Sequence, residues 1–284
     1  MADRNRSEGW TFAKVDGHNN EEALGVILRE SSELTDLIHQ TLFKEPEPGS
    51  PTVGVDGSKH VGSIFADSTT SKIDIALDWG STNAGLSVKK SNAGQVWLVS
   101  LERFLGALEI KLGNAVPDEV KLVLSLFIGG ANLREFAKEF EVGLLKSRNE
   151  RYHEQEVHQN RLVFETIEKI ESAALSKTIE FIRNNLGLIT ELMFFDGLAC
   201  DPSDSASLLI YNQIDQGKNI FTKTEVLKSM SLSVNKERVA VGDRNGGSTL
   251  KLPTGFLQMH KPNGTNLLQF HHNYDKLIEC LNEG

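Results

Sequence analysis

Apolar residues at three- and four-residue spacing predict the first regular element of the chain. The segment Glu21–Phe43 carries leucines and isoleucines on one face of a helix. They are Leu24, Ile27, Leu28, Leu34, Leu37, Ile38 and Leu42. Asn19 or Asn20 can cap the helix, and the acidic side chains of Glu21 and Glu22 lie in its first turn, where the helix dipole favours negative charge. The pattern predicts one amphipathic helix over Glu21–Phe43.

The pattern then changes to that of a loop followed by short strands. Lys44–His60 is rich in proline, glycine and charge, which predicts a surface loop. Lys72–Trp79 and Leu86–Lys90 are predicted as two strands joined by a turn, which makes a hairpin. Gln95–Ser100 either continues this sheet or leads into a helix near Leu101–Leu112.

The second half of the chain alternates between helical and strand patterns. Pro117–Asn185 is mostly helical, Ser207–Gln213 is predicted as a strand, and a short helix near Thr224–Ser229 precedes several short strands separated by glycines. This order of elements predicts an α/β (α+β) fold with a mixed central β-sheet flanked by helices. We expect a single domain over residues 1–284, with a helical insertion or subdomain at about 105–190.

Composition places the chain among soluble globular proteins. Of its 284 residues, 39% are hydrophobic and 24% are charged, and no window approaches the roughly 18 consecutive apolar residues that a membrane span needs. The N-terminus has no apolar stretch of the signal-peptide kind, and the two cysteines, Cys200 and Cys280, do not make a disulfide framework. We therefore expect a cytoplasmic protein with no membrane partner.

Net charge argues mildly against a nucleic-acid partner, but its distribution leaves that partner open. The chain carries a net charge of −9, whereas phosphate contacts need lysine and arginine. Between Asn235 and Asn266 basic residues outnumber acidic ones by five to two. They are Lys236, Arg238, Arg244, Lys251 and Lys261 against Glu237 and Asp243. This segment is either a basic groove on an acidic body or an ordinary solvated loop.

The predicted hairpin at Lys72–Ser91 carries residues suited to metal-dependent phosphodiester chemistry. Strand side chains alternate, so Ser87 and Lys89 share a face, and the turn brings Asp74 opposite them. Asp74 and the Val88 carbonyl are oxygen ligands of the kind that Mg²⁺ accepts. Lys89 would orient a water and offset the charge that develops in the transition state.

The turn of the same hairpin offers a competing interpretation. The segment Asp78–Asn83 resembles the hairpin that grips nucleotide phosphates in the sugar-kinase and actin superfamily, which would make the protein a small-molecule phosphotransferase. That superfamily has a second acidic and glycine-containing hairpin in a duplicated domain, and this sequence has no second copy. A turn rich in glycine, serine, threonine and asparagine is typical of any hairpin.

Asp74 with Ser87-Val88-Lys89 resembles the PD-(D/E)xK motif of type II restriction endonucleases, and in particular the small enzymes that cut short CG-rich palindromes. Three further segments resemble parts of these enzymes, and the order is kept along nearly the whole chain. "DGHNNEEALGVIL" is similar to the glycine-x-x-asparagine-glutamate opening of their first helix. "GLITELMFFDGLACDPSDSASLLIYNQI" is similar to their helix, loop and strand, and "LPTGFLQMHKPNGTNLLQF" to their C-terminal strand pair.

The resemblance implies a restriction-endonuclease-like fold and Mg²⁺-dependent cleavage of double-stranded DNA at a short palindrome, leaving 5′-phosphate ends. The implied catalytic residues are Asp74, Ser87, Lys89 and Glu21, and the implied metal ligands are Asp74, Val88 and Glu21. Ser87 departs from the family, which has Glu, Asp or Gln there. We expect Glu21 to supply the missing carboxylate, directly or through a water.

The family also implies which residues contact DNA, with a second departure. The basic run of the relatives is replaced here by the segment Gln258–Gly264, so we expect an altered sequence preference. The residues expected to contact DNA are Lys90, Gln95, Arg244, Gln258, His260, Lys261 and Asn263. The protein would act as a monomer or a weak homodimer on DNA. An alternative is a sequence-specific DNA-binding protein of the same fold whose cleavage is weakened or lost, as the neutral Ser87 would allow.

Overall fold

The structure is a computed structural model that describes residues 19–45, 49–128, 162–212, 218–243, 247–259 and 267–283. The chain divides into two compact units. The first comprises Met1–Asn92 and Glu191–Leu227, and the second Ala93–Thr190 and Lys228–Gly284. Within the described ranges, no helix is both long enough and apolar enough to cross a membrane.

Helices and strands alternate along the chain as the pattern of the sequence predicts. The helices are α1 (19–30), α2 (Ser32–Phe43), α3 (Leu101–Leu112), α4 (Asp118–Ile128), α5 (Phe164–Asn184), α6 (Leu186–Glu191), α7 (Lys223–Met230), α8 (Ser233–Glu237) and α9 (Tyr274–Asn282). A π-helix, Leu192–Asp196, follows α6, and a 3₁₀ turn spans Pro202–Asp204. The strands are β1 (Thr52–Val55), β2 (His60–Gly62), β3 (Ser68–Thr70), β4 (Ile75–Asp78), β5 (Asn83–Lys89), β6 (Ala93–Ser100), β7 (Leu208–Tyr211), β8 (Ile220–Thr222), β9 (Ala240–Val241), β10 (Leu250–Leu252), β11 (Gly255–Met259) and β12 (Leu267–Asn273).

The first unit is built on a mixed five-stranded sheet with strand order β1-β4-β5-β7-β8. The strands β5 and β7 are parallel, and the other neighbours are antiparallel. Helices α1 and α2 cover one face, where Leu24, Leu28 and Ile38 pack with strand residues such as Leu86 and Ile210. The π-helix contacts the interior strand β7, all of whose residues are buried. The predicted mixed central sheet flanked by helices is therefore confirmed.

The single helix predicted over Glu21–Phe43 is wrong, because the chain leaves helical geometry at Ser31. Ser31 adopts an extended conformation with φ −110° and ψ 100°, and its Oγ accepts a hydrogen bond of 3.3 Å from the Leu34 amide. It thereby caps α2, as a serine at this position does readily. Ile27 and Leu37, which the spacing places on the apolar face, are 47% and 51% exposed.

The segment Lys44–His60 is not wholly a loop. It contains β1, which pairs antiparallel with β4 from Thr52↔Asp78 to Val55↔Ile75. The strand β1 lies at the edge of the sheet, and Val53 and Val55 are its half-buried positions. Only two apolar residues alternate there, too few to outweigh the surrounding proline and glycine in a prediction from sequence.

The second unit contains a separate antiparallel five-stranded sheet with strand order β6-β12-β11-β10-β9. The segment Gln95–Ser100 therefore pairs with β12 near the C-terminus and does not extend the first sheet. One face of the second sheet is apolar, and Trp97 packs there with Phe104 of α3 and Phe270 of β12. The helical block expected at about 105–190 is represented by α3 to α6, and residues 129–161 lie outside the described residues.

Candidate active site

The hairpin of β4 and β5 sets the predicted catalytic residues opposite one another. Ile75 pairs with Leu86, so Asp74, one residue before β4, lies across from Ser87. The Asp74 amide donates a hydrogen bond of 2.8 Å to the Leu86 carbonyl, which extends the ladder to this position. Since strand side chains alternate, Asp74 and Ser87 point to the same face of the sheet, opposite to the face that α1 and α2 cover.

Oxygen atoms from three residues surround the Lys89 ammonium. The Lys89 Nζ donates hydrogen bonds to Ser87 Oγ at 2.9 Å and to the Val88 carbonyl at 3.0 Å. It also lies 3.7 Å from Asp74 Oδ2, an ion pair in which the Lys89 and Asp74 side chains are 13% and 17% exposed. The same carboxylate oxygen accepts a hydrogen bond of 2.6 Å from the Val88 amide. The carboxylate, the hydroxyl and the carbonyl thus converge on one cationic atom.

This donor set suits a hard divalent cation. Mg²⁺ prefers oxygen ligands, keeps several waters and is often held by one or two carboxylates. Asp74 offers a carboxylate and Val88 a carbonyl, whereas the Ser87 hydroxyl brings no charge. In the described residues, no three His, Cys, Asp or Glu side chains cluster in a way that could hold a metal. An ion at Asp74 would depend on the Val88 carbonyl, on water and on carboxylates that come from further away.

Burial limits what Ser87 can do. A serine hydroxyl hydrogen-bonded to a lysine amine also occurs in hydrolases in which the serine is the nucleophile. Ser87 is 0% exposed, so a substrate has no access to its Oγ. We therefore assign Ser87 to holding the Lys89 ammonium and not to covalent catalysis.

A second lysine lies near the ion pair, and sequence reasoning missed it. The pKa of Lys72 is lowered to about 7, chiefly by burial and also by repulsion from Lys89, with attraction to Asp74 offsetting part of the shift. The aliphatic part of Lys72 runs along Gly197, where an added Cβ would lie 3.3 Å from its Cγ and Cε. The sequence indicates the position of Lys72 only in that it lies two residues before Asp74, a spacing that puts both side chains on one face of a strand.

A partly buried cluster of charged side chains was also not predicted. Lys223, at the start of α7, contacts Asp196 Oδ1 at 2.6 Å and Glu191 Oε1 at 2.7 Å. Burial alone would lower the pKa of Lys223, but the hydrogen bonds to both carboxylates outweigh burial and raise it. Because both acidic groups are taken up by Lys223, we assign this cluster to joining the π-helix to α7.

Glu21 approaches from the helical side of the sheet. Its carboxylate packs against Gly57, where an added Cβ would lie 3.0 Å from the Glu21 Cδ. The neighbouring residue, Asp56, donates its amide to the Asp74 carbonyl at 3.2 Å. Glu21 therefore lies beside the turn that adjoins Asp74.

Two of the residues expected to contact DNA, Gln95 and Gln258, lie on one face of the second sheet. The Gln269 Nε2 donates to Gln95 Oε1 at 2.5 Å, and the Gln258 Nε2 donates to Gln269 Oε1 at 2.8 Å. The Gln258 Nε2 also lies 3.0 Å from His271 Nε2, and the His271 ring stacks on Phe256 with centroids 4.4 Å apart. We call Gln95, Gln269, Gln258 and His271 the amide ladder. Two of its members, Gln258 and His271, line a cavity of about 450 Å³.

The remaining predicted DNA contacts are placed less fully. Lys90 follows β5 in the first unit and is half-buried. The other four, Arg244, His260, Lys261 and Asn263, lie outside the described residues.

The basic excess of Asn235–Asn266 is partly neutralised in the structure. Lys251 pairs with Asp243 at 2.6 Å. Arg238 pairs with Glu283 at 2.5 Å and also reaches the Cys280 sulfur. At Lys251 and Arg238 these ion pairs favour an ordinary solvated surface over a basic groove.

At the alternative site, Asp78–Asn83, polar groups hydrogen-bond to one another within the turn. The Gly80 amide donates to Asp78 Oδ1 at 2.7 Å, and the Trp79 amide donates to the Thr82 carbonyl at 2.9 Å. The Asp78 carboxylate therefore closes the hairpin turn, which is a common use of aspartate.

Comparisons with protein-family models, with curated proteins and with solved structures find no match to this chain.

Proposed function

We propose that the protein is a Mg²⁺-dependent, site-specific deoxyribonuclease of the type II restriction class with a restriction-endonuclease-like fold. It would hydrolyse a DNA phosphodiester to leave a 5′-phosphate and a 3′-hydroxyl. The observation that carries this proposal is the convergence of the Asp74 carboxylate and the Val88 carbonyl around the Lys89 ammonium. These groups come from one hairpin, whose Asp74 and Ser87-Val88-Lys89 resemble the PD-(D/E)xK motif except that a serine stands at the acidic position.

Each residue of the site has a role in this proposal. Asp74 and Val88 would hold the ion, and Glu21 would add a carboxylate, directly or through water. A bound Mg²⁺ polarises a phosphate and lowers the pKa of a bound water. Lys89 would exchange its present contacts for the phosphate and the attacking water, where its charge opposes the negative charge that develops in the transition state.

The substrate would be double-stranded DNA. The amide ladder presents side chains that can hydrogen-bond with base edges, as glutamine does in a major groove. Lys90, Arg244, His260, Lys261 and Asn263 remain predicted contacts. With one such site per chain, cutting both strands requires either a homodimer on DNA or two successive nicks by a monomer.

Digestion of plasmid DNA with purified protein and Mg²⁺ tests the proposal. We expect discrete fragments, whose ends, once sequenced, give the recognition site. Lys89→Ala should lower the cleavage rate by about 10²-fold or more, the scale for loss of one preorganised charged group. Lys59→Ala is the matched control, because Lys59 lies in the same unit, is 54% exposed and pairs with Asp204.

Two results would contradict the proposal. One is the absence of discrete fragments from DNA of varied sequence over a wide range of salt concentrations. The other is equal cleavage by wild type and Lys89→Ala.

The second candidate is a DNA-binding protein of the same fold with little or no cleavage. It is favoured by the complete burial and neutrality of Ser87, which leaves Asp74 as the one carboxylate of the hairpin site. Such a protein would shift DNA in a gel and leave it intact with either Mg²⁺ or Mn²⁺.

A further inference from the structure

The start of α1 is tied to the strand that carries Lys89. Asn20 is only 7% exposed, and its Oδ1 accepts a hydrogen bond of 2.8 Å from Asn212 Nδ2. Asn212 follows β7 directly, and its backbone amide donates to the Lys89 carbonyl at 3.0 Å. A continuous path of hydrogen bonds therefore leads from α1 to the backbone of Lys89.

A second connection leads from the same turn of α1 to Asp74. Glu21 follows Asn20 and packs its carboxylate against Gly57. Asp56, which precedes Gly57, donates its backbone amide to the Asp74 carbonyl. The first described turn of α1 is thus linked to the Lys89 backbone through Asn212, and it packs against Gly57, next to the residue that hydrogen-bonds to the Asp74 backbone.

We propose that Asn20 and Asn212 are positioning residues of the metal centre, whose amide pair fixes where Glu21 stands relative to Asp74 and Lys89. This inference rests on the proposed function. Neither asparagine would touch the ion or the DNA. Their effect would pass through Glu21 on one side and through the backbone of Lys89 on the other.

The geometry explains why a pair of amides, the buried Asn20 and the half-buried Asn212, suits this task. The strands β5 and β7 are parallel, with Lys89 opposite Tyr211, so both end at the same edge of the sheet. Beyond that edge the ladder of strand hydrogen bonds stops, and α1 needs another link to the strand ends. A buried amide that loses its partner is costly, so the pair specifies a single position for the helix.

The direction of the hydrogen bond gives a sharp test. Asn20 supplies the accepting oxygen and Asn212 the donating nitrogen. Asn20→Asp keeps an acceptor and should preserve the link. Asn212→Asp removes the donor and opposes two oxygens, so it should break the link, as should Asn212→Ala. The control is Asn185→Ala in the second unit, which removes another amide hydrogen bond of 2.8 Å, from Asn185 Nδ2 to the Phe181 carbonyl.

Three measurements are made on each full-length variant. They are the Mg²⁺ concentration at half-maximal cleavage, the dissociation constant of Mn²⁺ by calorimetry without DNA, and the temperature of thermal unfolding. We expect Asn212→Ala and Asn212→Asp to raise the Mg²⁺ concentration at half-maximal cleavage and the Mn²⁺ dissociation constant by about tenfold each. Loss of residues that orient metal ligands has effects of this size. Asn20→Asp and Asn185→Ala should keep both metal values of the wild type.

The inference is overturned if the Asn212 variants lower only the unfolding temperature, as a purely structural hydrogen bond would. It is also overturned if Asn20→Asp and Asn212→Asp behave alike. If the wild type neither cleaves DNA nor binds Mn²⁺, the proposed function itself fails and the inference fails with it. A wild type that does both, beside unchanged Asn212 variants, rejects the positioning role alone.

Discussion

The Lys89 Nζ lies 3.7 Å from Asp74 Oδ2, and the two side chains reach this separation from the two sides of one hairpin. The ammonium therefore lies among the oxygens that would hold a metal ion. Under the proposed function, a cation held at Asp74 would compete with the Lys89 ammonium for the Asp74 carboxylate and the Val88 carbonyl. Metal binding and the placement of Lys89 would then be coupled.

Asp74→Asn should separate the charge of this residue from its hydrogen bond. The asparagine oxygen can still accept from the Val88 amide, so the hairpin should fold as before. The loss of the negative charge removes the anionic metal ligand, and cleavage should fall by about two orders of magnitude. Plasmid cleavage measures the rate, and a gel shift in Ca²⁺ or EDTA shows whether DNA binding persists.

The control for this variant is Asp204→Asn, which changes a carboxylate in the same unit that pairs with Lys59. Equal cleavage by Asp74→Asn and the wild type would remove Asp74 from the site. If Asp74→Asn loses cleavage because it is unfolded, circular dichroism will show the loss of secondary structure.

Ser87→Asp should introduce the negative charge that the PD-(D/E)xK motif has at this position. The new carboxylate would lie beside Lys89 and across from Asp74, so the Mg²⁺ concentration for half-maximal cleavage should decrease. Unfolding should become easier, because burying a charge costs free energy when it is only partly compensated. Cleavage titrations and urea unfolding measure the two effects.

Ser87→Ala is the matched control for Ser87→Asp, because it removes the hydroxyl that Lys89 contacts and adds no charge. If Ser87→Asp cleaves DNA and the wild type only binds it, the second candidate function is correct for the natural protein. If Ser87→Asp requires more Mg²⁺ than Ser87→Ala does, the Ser87 position does not face the metal.

Local sequence patterns predicted the part of the fold that they encode. The hairpin of β4 and β5 follows from period-two alternation around a polar turn, and the structure has it at Ile75–Asp78 and Asn83–Lys89. The same alternation brought Asp74, Ser87 and Lys89 into one group of candidates, and the structure places them together. Both results depend only on neighbouring stretches of chain.

The features that the sequence did not reveal depend on distant partners. The strand β6 pairs with β12, and no local pattern specifies that pairing over continuation of the first sheet. Lys72 packs against Gly197, which follows the π-helix far along the chain. The break at Ser31 is a local feature, but the apolar spacing on its two sides masked it.

Gly197→Ala tests the packing beside Lys72. Gly197 has φ +57°, and its added Cβ would press on Lys72 at 3.3 Å from both Cγ and Cε. We expect a loss of about 1–3 kcal/mol in the free energy of unfolding, the range for residues held in such conformations. Urea unfolding measures it, with Gly80→Ala as the control, because Gly80 also has a positive φ (+83°) and a Cβ added there meets no neighbouring atom within 4 Å. Equal stability of the two variants would contradict the packing argument.

Lys72→Met should change how stability depends on pH. Burial lowers the pKa of Lys72 from 10.5 to about 7 in the folded protein. Between these values the unfolded chain binds more protons than the folded one, so this lysine makes stability rise with pH. Methionine keeps an apolar stem against Gly197 and does not titrate. Lys72→Met should therefore be more stable than the wild type at pH 6, and this advantage should shrink towards pH 10.

Urea unfolding in EDTA at several pH values measures this difference, with Lys59→Met as the surface control. Parallel pH profiles of Lys72→Met and wild type would show that Lys72 is not desolvated in the folded protein.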